Sequence, residues 1–288
     1  METLNKKLQY SRKLVLKALS KFKNPVVACS FGKDSIVVLH LVRSYADKFK
    51  VLWNNTLVEY PDTYVFAREI IKKWELDCIE ARPSTTFWDI VEKCGFPIHS
   101  RNSKGDKQCA ARICCNELKK KPTMAALRKI DCDLYFTGLT RHESRLREFS
   151  ARKYGDFFYS KKWKHWKCHP LLDWTEEEVW KYIKQNKIPY NPLYDKNEVQ
   201  IEGGIRTGCW PCTQAIKYGK LEHLREYYPK LFDILVIKKR LGEVMLNLRI
   251  ENYKNIKSRV ADYMRNATYK KLGVEQALTL HPCLFDRL

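Results

Sequence analysis

Ser30-Phe31-Gly32-Lys33-Asp34-Ser35 lies between two apolar runs, residues 26–29 before it and residues 36–42 after it. This order predicts a strand, a tight polar turn and a helix. A helix N-terminus with free N–H groups, one glycine, one lysine and two serine hydroxyls is typical of a phosphate site. An ordinary strand-to-helix turn capped by serine or aspartate accounts for the six residues equally well. The Walker pattern G-x-x-x-x-G-K-[ST] is absent, so the rest of the chain has to decide.

Strand and helix patterns alternate over the first half of the chain. Apolar runs predict strands at residues 26–29, 50–54, 76–81 and 133–138. Helical spacing predicts helices at residues 4–20, 36–48, 60–74 and 85–94, and one more around 114–119 that restarts near Pro122. This alternation predicts an α/β fold with a doubly wound parallel sheet. Ligands bind at the carboxyl ends of such strands, where residues 30–35 and 54–62 would both lie.

The second half of the chain reads mainly as helices. Thr175 and Glu178 make a capping-box pattern that starts a helix ending near Asn186. Residues 213–271 read as a helical C-terminal extension, and residues 229–271 contain eleven Lys and Arg against four Asp and Glu. A charged solvent face and a surface that binds nucleic acid both fit that pattern.

The chain as a whole is strongly basic. Its 288 residues include 54 Lys and Arg against 33 Asp and Glu, a formal net charge of +21. This balance favours a polyanionic partner such as nucleic acid, or anionic substrates, over simple solubility. Residues 152–167 interleave basic and aromatic side chains, which is typical of a surface for single-stranded nucleic acid. A two-stranded ribbon with an apolar inner face is the alternative for the same residues.

The sequence shows no apolar run of 18 or more residues and no features of a secretion signal at its N-terminus. We therefore expect a cytoplasmic protein with no membrane partner. In that setting eleven cysteines, an odd number, indicate metal or redox chemistry rather than a disulfide framework.

Four cysteines are the candidate metal ligands. The adjacent Cys114 and Cys115, with Cys209 and Cys212 of a C-x-x-C motif, supply four thiolates. Four thiolates can hold a zinc ion or a [4Fe–4S] cluster. Zinc knuckles usually use C-x-x-C twice, because that spacing lets both sulfurs point at one ion. Adjacent cysteines direct their sulfurs differently, which favours the cluster.

Three arginines follow the strand predicted at residues 133–138. Arg141, Arg145 and Arg147 come just after its carboxyl end, at the edge where ligands are expected. Arginine binds phosphate through paired hydrogen bonds, so an anion-binding role competes here with a solvated helix face.

These blocks together resemble the phosphoadenylyl-sulfate (PAPS) reductase family, within the adenine nucleotide α-hydrolase or N-type ATP pyrophosphatase superfamily. The similar blocks are residues 30–35, 54–63, 114–122, 137–147, 169–180, 188–195 and 208–212. The most specific of them is His169-Pro170-Leu171-Leu172-Asp173-Trp174-Thr175-Glu176-Glu177-Glu178-Val179-Trp180. The double cysteine resembles that of the cluster-containing adenylyl-sulfate reductases. In character the chain is nearest to the ATP pyrophosphatases of DNA phosphorothioation and to archaeal-type PAPS reductase-like proteins.

The resemblance implies a layout and a set of site residues. An N-terminal helix at residues 1–24 would precede a nucleotide-binding domain at 25–215, and a helical basic region at 216–288 would follow. The residues implied to contact the nucleotide are Ser30, Phe31, Gly32, Lys33, Asp34, Ser35, Asn54, Asn55, Thr56, Asp62, Gly138, Arg141 and Arg145. Those implied in catalysis are Lys33, Asp34, Arg141 and Arg147. Asp34 or Asp62 would help to hold Mg²⁺, and the four cysteines would hold the [4Fe–4S] cluster.

Two departures separate the chain from the reductases of this family. Those reductases end in a Glu-Cys-Gly-type segment, and here the nearest cysteine, Cys283, has different neighbours. Lys33 inside the phosphate loop suits a triphosphate, whereas reductases for sulfonucleotides usually lack it. Both departures favour adenylylation over reduction.

The function implied is therefore that of an ATP pyrophosphatase-type enzyme. It would cleave ATP to AMP and pyrophosphate and adenylylate an acceptor for sulfur transfer to nucleic acid, as in DNA phosphorothioation or tRNA thiolation. A cysteine desulfurase or another sulfur donor protein is the expected partner, and a homodimer stays open. One alternative is reduction of APS or PAPS to sulfite, with Cys283 as nucleophile and thioredoxin as partner. The other is a nucleotide-binding scaffold subunit without catalysis.

Overall fold

A computed structural model describes residues 2–97, 110–197, 206–242 and 244. The chain divides into two compact units. The first contains residues 1–93, 112–195 and 206–209, and the second contains residues 94–111, 196–205 and 210–288.

The first unit is built on a six-stranded sheet. Its strands are β1 Pro25–Ala28, β2 Lys50–Asn54, β3 Cys78–Ala81, β4 Leu134–Phe136, β5 Phe157–Ser160 and β6 His165–Cys168. The spatial order is β3-β2-β1-β4-β6-β5, and every neighbouring pair is parallel except β5 with β6. The predicted α/β fold with a doubly wound, mostly parallel sheet is confirmed. The order reverses between β1 and β4, so the crevice at their carboxyl ends is where a ligand is expected.

Ten helices accompany the strands in the described residues. They are α1 Glu2–Leu19, α2 Lys33–Arg43, α3 Pro61–Lys73, α4 Phe87–Cys94, α5 Ala110–Cys115, α6 Lys121–Lys129, α7 Arg145–Tyr154, α8 Glu176–Gln185, α9 Lys220–Tyr227 and α10 Pro229–Phe232. A π-helical turn, Asn116–Lys120, joins α5 to α6 and accounts for the restart predicted near Pro122. The prediction that α2 reaches residue 48 is wrong, because the helix ends at Arg43, and a loop then leads to β2.

Helix α1 is part of the first unit rather than an appendage. Its Leu4 and Val15 belong to the apolar core that also contains the buried β1 and α2 side chains. The Ser11 hydroxyl donates to the Pro170 carbonyl at 2.6 Å and accepts from the Trp174 indole N–H at 3.0 Å. The predicted capping box of α8 is confirmed, with Glu178 accepting from the Thr175 N–H at 2.8 Å. The family-like block at residues 169–180 thus fixes α1 and starts α8.

The basic and aromatic stretch at residues 152–167 forms the end of α7 and the β5–β6 hairpin. Phe157 and Trp166 stack with ring centroids 5.0 Å apart, and Phe22 packs against both rings. The two-stranded ribbon with an apolar inner face is therefore what the chain adopts. Contact of this region with nucleic acid stays a prediction.

The second unit is described only as far as residues 242 and 244. Within it, a 3-10 turn Thr213–Tyr218, helices α9 and α10 and a π-helical turn Asp233–Lys238 confirm the helical prediction up to that point. Residues 245–271 of that predicted helical extension, and Cys283, lie outside the described residues. None of the described helices is long and apolar enough to cross a membrane.

Candidate active site

The loop between β1 and α2 owes its shape to a buried aromatic side chain. Phe31 has a φ of 55°, a left-handed conformation that costs a non-glycine residue about 1–2 kcal/mol. Its side chain is fully buried and meets Trp53 edge to face at 5.4 Å and Phe66 at 6.4 Å. This burial offsets the backbone cost and holds the loop at the carboxyl end of β1. The Phe31 side chain is therefore no nucleotide ligand, and only its backbone can face one.

The two serines of the loop bond to the loop itself. The Ser35 hydroxyl donates to the Gly32 carbonyl at 2.9 Å and accepts from the Ser30 N–H at 3.2 Å. The N–H groups of Gly32, Asp34 and Ser35 have no hydrogen-bond acceptor among the described residues. They stand at the N-terminus of α2, where the helix dipole also favours negative charge. The loop therefore offers three backbone donors to an anion.

Lys33 opens α2 and is held by two acidic residues. Its ammonium lies 3.0 Å from each carboxylate oxygen of Asp34 and 3.6 Å from Glu176, and the residue is only 8% exposed. Its backbone N–H donates to the hydroxyl of Tyr194 at 3.1 Å. Burial raises the pKa of Tyr194 to about 12, so this phenol stays protonated. The carboxylates of Asp34 and Glu176 thus neutralise the ammonium of Lys33 at the first turn of α2.

Two glycines allow the loop to be packed this closely. A Cβ on Gly138, which follows β4, would lie 2.8–2.9 Å from backbone atoms of Asp34 and Ser35. A Cβ on Gly32 would collide with the hydroxyl of Thr207 and lie 3.0 Å from that of Tyr194. Gly138 therefore lets the loop after β4 approach the first turn of α2, and a nucleotide contact from Gly138 stays a prediction.

The arginines after β4 are tied to carboxylates as well. Arg147 pairs with Glu143, whose carboxylate also lies 3.6 Å from Arg206. Burial raises the pKa of Glu143 and nearby Asp34 adds to the rise, while Arg147 and Arg206 oppose it. The charge of Asp34 raises the pKa of Glu143 and that of Lys33 lowers it, so Glu143 lies within electrostatic reach of the α2 N-terminus.

Arg141 and Arg145 occupy different surroundings from Arg147. The Arg141 guanidinium lies 2.5 Å from Asp173, and its buried Nε lies 4.0 Å from Glu148 and makes no hydrogen bond within the described residues. Arg145 is exposed in the first turn of α7. The structure therefore pairs Arg147 with Glu143 and Arg141 with Asp173.

Asn54 and Asn55, in the predicted second nucleotide block, have side chains that form hydrogen bonds within the protein. The Asn54 side chain donates to the Leu118 carbonyl at 3.2 Å and accepts from the Thr123 hydroxyl at 2.9 Å. Asn55 accepts from the Leu57 N–H and the Tyr64 hydroxyl at 2.8 and 2.9 Å. These side chains brace the carboxyl end of β2, so a nucleotide contact from them stays a prediction.

Thr56 and Asp62 are the other two predicted nucleotide contacts that follow β2. The Thr56 hydroxyl is fully buried and donates to Glu59 at 2.7 Å. Asp62 lies in the first turn of α3. A Mg²⁺ site at Asp34 or Asp62 stays a prediction.

Reasoning from the sequence missed five residues at this site. They are Glu143, Glu176, Tyr194, Arg206 and Thr207. Each stands inside or beside a block that the sequence did single out, so its neighbourhood was visible. Its contact with the α2 N-terminus was not, because the contacts join residues up to about 175 positions apart in the chain.

A family model for the phosphoadenosine phosphosulfate reductase domain matches residues 24–215 of this chain. The chain belongs to this family. The adenosine 5'-phosphosulfate reductase of Bacillus mycoides is 28% identical over 205 residues, which cover 70% of this chain and 79% of that protein. The crystal structure of the PAPS reductase from Candida auris has a TM-score of 0.54 and 20% identity, and the match covers 73% of this chain and 93% of that one. That likeness is one of fold.

An archaeal relative matches as well. An uncharacterized protein of Methanocaldococcus jannaschii is 30% identical over 227 residues, which cover 78% of this chain and 50% of that protein. The chain thus spans about half the length of this relative. Family and named relatives are enzymes, so this member of the PAPS reductase family is placed among enzymes too.

The four cysteines of this family member are divided between the two units. Cys114 is buried at the end of α5 and Cys115 is exposed. Cys209, in the first unit, donates to the Thr56 hydroxyl at 3.4 Å, and Cys212 belongs to the second unit. Among the described residues no three His, Cys, Asp or Glu side chains are grouped so that they could hold a metal ion. The [4Fe–4S] cluster and Mg²⁺ therefore stay predictions.

Proposed function

We propose that this chain binds ATP and releases pyrophosphate, adenylylating an acceptor for sulfur transfer to nucleic acid. The observation that carries the proposal is the α2 N-terminus, where three N–H groups without an acceptor in the described part of the chain lie in the same turn as the buried Lys33. Backbone donors at a helix N-terminus bind phosphate of any kind. The additional lysine supports a ligand with more negative charge than a monophosphate carries.

In this proposal the phosphates replace carboxylates as the partners of the cations. Lys33 would exchange Asp34 and Glu176 for the β- and γ-phosphates, and Arg147 would exchange Glu143 for a phosphate oxygen. An acceptor oxygen then attacks the α-phosphorus, loses its proton and takes up the adenylyl group, while the bond to the β-phosphate breaks. The N–H groups and Lys33 stabilise the charge that develops on the leaving pyrophosphate. The terminal sulfur of a donor protein's persulfide, such as that of a cysteine desulfurase, then displaces AMP, and a dithiol reductant cleaves the remaining S–S bond, leaving sulfur on the acceptor and becoming a disulfide.

Pyrophosphate release from ATP, measured with and without DNA or tRNA, tests this proposal. Lys33→Met should weaken the binding of ATP and pyrophosphate at least tenfold, since a charge-assisted hydrogen bond contributes about 1.5–3 kcal/mol. AMP, which lacks the outer phosphates, should bind almost as before. Lys50→Met is the matched control, because Lys50 also pairs with an acidic residue, Asp77 at 2.5 Å, but lies at the amino end of β2. Equal losses for ATP and AMP would contradict the proposed role of Lys33.

Sulfonucleotide reduction is the second candidate, because the Bacillus relatives carry the name adenosine 5'-phosphosulfate reductase. In it a cysteine thiolate attacks the sulfur of APS, the bond to the AMP oxygen breaks, and a dithiol such as thioredoxin releases sulfite and becomes a disulfide. Sulfite release that Cys283→Ser abolishes would support this candidate and overturn adenylylation. A chain that binds ATP but releases neither pyrophosphate nor sulfite would be the scaffold subunit.

A further inference from the structure

Helix α7 exposes large apolar side chains to solvent. Leu146 is 80% exposed and Phe149 is 66% exposed, three positions apart and therefore on one face of the helix. Lys153 follows Phe149 by one turn on the same face. Burial of a phenylalanine side chain is worth about 1.5–3 kcal/mol, so an exposed pair of this kind indicates a surface that another molecule covers.

Positive charge surrounds this apolar pair. Arg145, Arg152 and Lys153 are all exposed on α7. Arg152 pairs with Glu148 at 2.7 Å, whereas Arg145 and Lys153 have no acidic partner among the described residues. Residues 141–167 contain nine Lys and Arg against three Asp and Glu. A polyanion is the partner that this charge complements, while a second copy of the same face would bring cations against cations.

The surface is continuous with the candidate active site at one end and with the hairpin at the other. Ser144 caps α7 by accepting from the Arg147 N–H, and Arg147 pairs with Glu143 beside the phosphate loop. At the far end Tyr154 stacks on Phe158 of β5 at 5.0 Å. A strand lying along α7, about 15 Å long, would thus lead to the site where an acceptor is needed.

We propose that the exposed face of α7, formed by Arg145, Leu146, Phe149, Arg152 and Lys153, is the docking surface for a nucleic acid strand. Phe149 stacks on an unpaired base, Leu146 packs beside it, and the cations bind the phosphates on either side. This inference rests on the proposed function, since it names the class of acceptor and the surface that presents it.

The test compares two double variants of the full chain with matched changes. Phe149→Ala with Lys153→Glu changes the α7 face. Val65→Ala with Lys72→Glu makes the same change of charge and removes an exposed apolar side chain from α3, where Val65 is 56% exposed. Fluorescence anisotropy then measures binding of single-stranded RNA, single-stranded DNA and duplex at two salt concentrations. The α7 variant should bind single strands at least tenfold more weakly, with a salt slope smaller by about 1, and the α3 variant within twofold of the parent.

Three results would overturn the docking surface. They are no binding of any nucleic acid by the parent chain, equal losses in both variants, and a concentration-dependent dimer that only the α7 changes abolish, which would assign the face to a second copy. Affinity for ATP, measured on the same samples, separates this inference from the proposed function. A parent that releases pyrophosphate from ATP and binds nucleic acid, and whose α7 variant binds nucleic acid no more weakly than the α3 variant, refutes the docking surface alone. A parent that binds nucleic acid but not ATP refutes the ATP chemistry alone.

Discussion

Replacing Gly138 with alanine tests whether the phosphate loop depends on a backbone-to-backbone contact. The added Cβ would lie 2.8 Å from the carbonyl carbon of Asp34 and 2.9 Å from both the Asp34 oxygen and the Ser35 nitrogen. Carbon atoms in favourable contact are about 3.5–4.0 Å apart, so the two segments must separate by about half an ångström or more. No rotamer change relieves the clash, because every atom involved belongs to the backbone.

The expected result of Gly138→Ala has two parts. Overpacking of this kind costs about 1–3 kcal/mol, and the free energy of unfolding should fall by that amount. The displaced segment carries the Asp34 and Ser35 N–H groups, so phosphate affinity should also fall. Loss of one hydrogen bond to a charged group, about 1.5–3 kcal/mol, corresponds to at least a tenfold rise in Kd.

Urea unfolding and calorimetric titration with ATP and with pyrophosphate measure the two parts separately. An unchanged free energy of unfolding together with unchanged affinities would refute the reasoning. A loss of stability alone, with both affinities intact, would show that the α2 N-terminus does not depend on the contact for binding.

Three further predictions concern Gly32, Asn54 and His169. Gly32→Ala should lower stability by about 1–3 kcal/mol, and Thr207→Ala in the same chain should restore most of it, because that clash is with a side chain. Asn54→Ala should cost about 1–3 kcal/mol in urea unfolding, since it removes the hydrogen bonds to the Leu118 carbonyl and from the Thr123 hydroxyl. Burial lowers the pKa of His169 to about 3, so the unfolded chain binds the extra proton first and stability falls as pH drops below about 6.5. Between pH 7 and 5 this loss should be about 2 kcal/mol, and His169→Gln should remove that share of the pH dependence in urea unfolding.

The alternation of strands and helices was predictable because it depends on local pattern. Buried parallel strands are short apolar runs, and the helices between them have apolar residues at helical spacing. The capping box at Thr175 and Glu178 is a signal of four consecutive residues, and the structure contains it as expected. The end of α2 was less predictable, since residues 44–48 have no proline or glycine to mark where a helix stops.

The candidate site was only partly predictable because its contacts are distant in sequence. The phosphate loop could be found from residues 30–35 alone. That Phe31 is buried could not, since the burial depends on Trp53 and Phe66 from two other elements. The same holds for Asn54, which looks like a ligand at a strand end but donates to the Leu118 carbonyl of the π-helical segment, a contact between residues 64 positions apart.

The pairing of charges at the loop suggests how the site selects its ligand. Lys33 is neutralised by Asp34 and Glu176, and Arg147 by Glu143, so these side chains hold nearly balanced charge. A ligand must replace carboxylates that already satisfy these cations, and one with a single phosphate gains little by doing so. Under the proposed function, a triphosphate would replace several of them at once. If the proposed function holds, we expect selectivity for the more highly charged nucleotide to depend on the acidic residues as much as on the basic ones.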